Sequence, residues 1–129
     1  MNAKRKGTAT AELAVCLPLL VVLVLGGMEA ANGIFLKQGL TVAAYETAKM
    51  ATTVGFTAAQ AEARGIEILN TMGLSAADIE IDPPTTRQMA PGELVTVTVT
   101  APCSLNSISP AVFHPADMKV NAVVAMNRN

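Results

Sequence analysis

Hydrophobic and polar positions divide this chain into stretches of different period. From Leu13 to Met28 it is uncharged and dominated by leucine and valine. Thr8–Ala11 on one side and Ala30–Ala31 on the other bring the run up to the ~20 residues of a bilayer span, with Glu12 and Glu29 near the two interfaces. Pro18 falls early in the run, where a membrane helix tolerates the missing N–H better than a soluble one. The helical pattern continues beyond it. Leu36, Leu40, Ala43, Thr47, Met50 and Val54 recur at alternating four- and three-residue steps and form one mostly apolar stripe. Lys37, Gln38, Thr41, Tyr45, Glu46 and Lys49 lie off it, the last two charged residues spaced for an i,i+3 pair. The stripe fits a helix packed on its own domain, or one long helix from Thr8 to about Thr53 that buries it against neighbours. Pro18 and four glycines (Gly26, Gly27, Gly33 and Gly39) permit breaks or close helix approach.

Gly55 ends that helix. Thr57-Ala58-Ala59-Gln60 then reads as a capping box that opens a second helix to about Met72, with Gly73 as a left-handed C-cap and Leu74 beside it. Ala61, Gly65, Ile68, Leu69 and Met72 make its expected buried side. After Ser75 the period becomes two: Ile79 and Ile81 alternate with Glu80 and Asp82 until Pro83-Pro84. In the clearest strand, Leu94–Thr100, valines at 95, 97 and 99 alternate with threonines at 96, 98 and 100. A last strand over about Met118–Met126 turns Val120, Ala122 and Val124 inward. The expected fold is α+β: a long N-terminal helix, a second helix and a small three-stranded antiparallel sheet. Three segments follow, a basic leader at 1–7, the hydrophobic and amphipathic helix at 8–54, and a small α+β domain at 55–129.

Charge and chemistry narrow the function. The 129 residues carry a net charge of -1, so nucleic acid has no electrostatic support as a partner. Lys4, Arg5 and Lys6 cluster ahead of the apolar run and predict a cytoplasmic N-terminus. Only 3% of residues are aromatic, too few to anchor a broad recognition surface. Cys16 lies in the span and Cys103 beyond a strand, so a bridge would need span and domain to meet, and two small buried hydrophobes are expected instead. His114 stands alone in a proline-containing loop. No HExxH, CxxC, GxSxG or phosphate-cradling loop is present. Glu62, Glu67, Asp78, Glu80 and Asp82 fit solvated faces. No catalytic residue, metal or cofactor is expected, and the chain reads as a structural part.

The first segment admits two processing schemes. An ordinary signal peptide would have a basic start, a short apolar core and a small-residue cut, yet Glu12 interrupts it and Glu29 occupies the −3 position for a cut after Ala31. The other scheme is the type IV prepilin pattern. Cleavage after Gly7 makes Thr8 the new N-terminus and Glu12 the fifth residue of the mature chain. The freed α-amino group, largely charged near neutral pH with a pKa of ~7.7–8.0, can then pair with Glu12 of a neighbouring subunit and offset the cost of both charges in hydrocarbon. A signal-peptide-secreted or membrane-tethered binding domain, using loops at Asp82–Pro91 and Pro102–Pro115, is the alternative.

Over Gly7-Thr8-Ala9-Thr10-Ala11-Glu12, Leu17-Pro18-Leu19-Leu20, Gly26, Glu29, Lys37-Gln38, Ala43-Ala44, Glu46 and Ala48-Lys49, the chain resembles the TadE-like family of minor pilins (pseudopilins) of the Tad/Flp pilus and tight-adherence apparatus. The endings Val97–Pro102 and Val120–Met126 are similar in rhythm. Leu13 departs from the family in standing where an aromatic residue usually follows the glutamate. Thr47 replaces a common glycine, and Lys49 an arginine. The resemblance implies cutting at Gly7–Thr8 by a membrane aspartyl prepilin peptidase and a single-pass inner-membrane protein with its C-terminal domain outside. Its implied partners are other pilins, minor pilins and the inner-membrane pilus assembly platform, in building an adhesive pilus.

Overall fold

The computed structural model describes residues 3–84, 90–107 and 117–128, with side chains from Gly7 onward. His114 and much of the two proline-bearing loops lie outside these residues, as do the side chains of Lys4, Arg5 and Lys6. Helix α1 (Ala3–Thr52) is a single unbroken element with Pro18 inside it. It begins at Ala3, ahead of Thr8, so the basic residues 4–6 lie in its first turn. Among the described residues a Cβ on Gly26, Gly27 or Gly33 would meet nothing within 4 Å, so none of these glycines answers a close contact there. The helix continues through them because leucine, valine and alanine flank them. Near their bilayer end, little water competes for the backbone hydrogen bonds.

α1 stops where its threonines and a glycine divert the backbone. The hydroxyls of Thr52 and Thr53 both donate to the Lys49 carbonyl, at 3.0 and 2.8 Å, and Gly55 takes φ +99. Val54, expected to end the apolar stripe, therefore lies past the helix and is 70% exposed. The buried face turns instead onto Ala44, Ala48, Ala51 and Thr52.

Helix α2 (Ala58–Thr71) opens on the Thr57/Gln60 capping box, both halves of which are present. It closes as a Schellman motif: Leu74 N–H donates to Leu69 O at 2.9 Å and Gly73 N–H to Asn70 O at 3.0 Å, with Gly73 at φ +70. Strands β1 (Asp78–Asp82), β2 (Leu94–Pro102) and β3 (Lys119–Asn127) form one antiparallel sheet in the order β1-β2-β3. Ile81 faces Val97, which faces Val124. The two-residue period sends Val95, Val97, Val99 and Ala101 into the core and the threonines of β2 outward. That inner face and α2 both pack on the second half of α1, at Leu36, Leu40, Ala43, Ala44 and Ala48. Small side chains let these layers approach closely. At Gly65 a Cβ would overlap Thr47 Oγ1 and stand 2.7 Å from Ile79 Cδ1.

Candidate processing and assembly site

The residues singled out by spacing lie on the exposed first turns of α1. Gly7, Thr8 and Glu12 are all exposed. A helix brings positions four apart onto one side, so Thr8, Ala11, Glu12, Val15 and Cys16 line a single shallow apolar depression. Glu12 makes no ion pair within the described residues. Two properties of this end matter chemically. The Gly7–Thr8 peptide is held in helix, at the residue where helix costs ~1 kcal/mol relative to alanine and is easiest to unwind. A helix beginning at Thr8 would also present four free N–H groups and the positive end of its dipole, both favourable to a carboxylate.

From Leu13 to Met28 the large apolar side chains are 41–77% exposed, and among the described residues α1 is the one helix long and apolar enough to cross a membrane. Cys16 is exposed on this segment, not buried as expected, while Cys103 is buried; both are free thiols. The Glu46–Lys49 pair is not formed. The pair seen on α2 joins Arg64 to Glu67 at 2.7 Å and, being exposed, adds little.

The far end of the span holds residues that local patterns did not reveal. Glu29, expected near a membrane interface, is enclosed by the folded domain, which leaves it 3% exposed. Next along the helix, Asn32 Nδ2 donates to the Asn106 carbonyl at 2.9 Å. The Asn106 side chain accepts from Ser75 N–H at 2.7 Å and donates to Ser75 O at 3.0 Å and Pro102 O at 2.8 Å. It thus pins the α2–β1 connection to the end of β2. Lys37 Nζ donates to Asn121 O on β3. Together these contacts fasten the domain to the helix just where the apolar run ends. Asn106 is 74 residues from Asn32, and no local period marks such a contact. Among the described residues no group of histidine, cysteine and carboxylate side chains could hold a metal ion.

Cys103 lies in this junction. Burial pushes its thiol pKa up, and the charge of Glu29 adds to the rise. Unfolded, the thiol ionises at ~8.5. Above that pH the native state holds a proton that the unfolded chain has lost, so stability falls as pH rises. The domain is expected to lose stability progressively above pH ~8.5, towards the raised native value. Thermal unfolding of the full chain in detergent micelles across pH 7 to 10, a working range chosen to bracket that value, measures the slope. Cys103→Ala should flatten this alkaline limb, and an equal slope in both proteins would show that another group causes it.

Residues 7–49 match the family model described as TadE-like protein. The matched segment starts at the glycine of the candidate cleavage site and ends at Lys49, one turn before α1 closes. No curated protein and no solved structure gives a significant match.

Proposed function

We propose, from a chain whose residues 7–49 are TadE-like, that this protein is a minor pilin (pseudopilin) of a Tad/Flp-type pilus, processed after Gly7 and assembled through α1. Residues 1–7 are the leader, 8–54 the span and packing helix, and 55–129 the extracytoplasmic domain. The observation that carries the reading is the coincidence of that match with a long apolar helix: the match starts at Gly7, and the first carboxylate of the helix is the exposed Glu12. Lys4, Arg5 and Lys6 hold the leader at the cytoplasmic face. A prepilin peptidase meets the scissile bond at the easily unwound Gly7, and the span stays with the product. The new Thr8 amine and Glu12 of adjoining subunits then neutralise each other in hydrocarbon. Other pilins, minor pilins and the inner-membrane assembly platform are the partners, and adhesion belongs to the assembled pilus. The continuity of α1 supports this over an ordinary signal peptide, since a cut after Ala31 would separate Glu29 from Asn32 within the junction.

The N-terminal mass of protein recovered from membranes, with and without the prepilin peptidase, tests this reading. A peptidase-dependent start at Thr8 is expected. A start at Asn32 would sink it in favour of a secreted binding domain, and an uncut Met1 in both strains would leave a single-span protein without pilin processing.

A further inference from the structure

Past the span, the side of α1 turned away from its own domain stays largely apolar. Ala31, Phe35, Gln38, Val42, Tyr45 and Lys49 follow one another at steps of four and three, and all are exposed. Phe35 is 52%, Val42 43% and Tyr45 48% exposed. This is the spacing of a coiled-coil seam, which another helix fits. Lipid does not account for it. At 1.5 Å per residue Val42 and Tyr45 stand ~21 and ~26 Å beyond Met28, whereas the headgroup layer extends only ~5–8 Å past the hydrocarbon. Even a tilt of ~40° leaves them ~16 and ~20 Å out.

We infer that this seam is covered by the same seam of a second copy of the chain, running parallel to it. The shared membrane anchor makes two copies parallel and confines them to one surface. The polar members then complement each other. Gln38 carries both amide donors and an acceptor, so it can pair with its twin. Lys49 and Glu46, which make no ion pair among the described residues, can pair across the two copies. Phe35, Val42 and Tyr45 supply the apolar contact between them. The seam's backward continuation passes through Thr10, Ala14 and Leu17, so Thr8 and Glu12 lie on another side of the helix. The contact depends on α1 being membrane-anchored and not on leader cleavage.

Cross-linking of the full chain in its own membranes tests this. In a Cys16→Ser background, with Cys103 buried, Val42→Cys or Tyr45→Cys is expected to give at least ten-fold more oxidised dimer than Glu62→Cys, on the exposed side of α2. Lys49→Glu should lower the Val42→Cys dimer about five-fold, and adding Glu46→Lys should restore it. Dimer no greater than the α2 control overturns the inference, as does cross-linking exclusively to a different membrane protein. Charge reversal without rescue overturns the Lys49–Glu46 contact on which the choice of a second copy rests. Glu12→Ala and a blocked leader cut should leave the cross-link unchanged, so this result and the N-terminal mass fail independently.

Discussion

Glu12→Ala is expected to be made, inserted and cut at Thr8 like the parent chain, yet to be nearly absent from the assembled pilin fraction. The carboxylate is exposed in the single chain and pairs with nothing within the described residues, so its removal costs the isolated subunit little. The cost falls on assembly. Without Glu12 the Thr8 amine of a neighbour is left charged in hydrocarbon. Removing one member of a buried pair typically costs ~3–5 kcal/mol, about two to nearly four orders of magnitude in an equilibrium. Glu12→Gln keeps a hydrogen-bond acceptor without the charge and should fall between the two. Quantifying the subunit in membranes and in sheared, pilin-containing assemblies separates insertion from incorporation. Equal incorporation of parent and Glu12→Ala would remove the pairing role, while a loss of Thr8 processing would move Glu12 to peptidase recognition.

The largest effect expected on the domain itself comes from Gly65→Val. A Cβ at this position overlaps Thr47 Oγ1 and comes 2.7 Å from Ile79 Cδ1, and the two γ carbons of valine go further into the same space. Ile79 can yield, because the offending atom is the end of its side chain. Thr47 cannot easily do so: it is β-branched, fully buried and on α1. Overpacking of this kind costs ~1–3 kcal/mol, and two invading groups put Gly65→Val near ~3 kcal/mol. For a domain of about this size each kcal/mol lowers Tm by roughly 4–8 °C. The buried Cys103 thiol is a convenient reporter in a Cys16→Ser background, since it reacts with a maleimide only when the domain opens. Thr47→Ala should recover ~1 kcal/mol or more, because it removes the obstructing oxygen along with a buried hydroxyl that has no hydrogen-bond partner among the described residues. Destabilisation without this rescue would place the strain at Ile79 instead.

The candidate site was legible because its signal is local. Gly7, Thr8 and Glu12 are adjacent or one turn apart, and the apolar run begins at the next residue. What Glu12 pairs with belongs to another molecule in the reading proposed here, so one folded chain leaves it exposed. The junction at the other end of the span was illegible for the opposite reason. Glu29, Asn32, Asn106 and Cys103 meet through contacts that join distant stretches of chain, and nothing in the period around any of them records the others.

By itself the sequence determined the elements of the fold whose causes are short-range. The Thr57/Gln60 box started α2, Gly73 ended it with a left-handed turn, and the valine–threonine alternation placed β2 with its valines inward. These depend on backbone preferences and on a period of 3.6 or two, which a few neighbouring residues carry. Only the tertiary structure decided that α1 runs unbroken through its glycines, that Val54 lies beyond it, and that Gly65 of α2 packs directly against Thr47 of α1. It also decided that Glu29 is enclosed and that the seam from Ala31 to Lys49 is left open. Each of these turns on which surfaces meet across the fold, and packing at that distance overrides local preference.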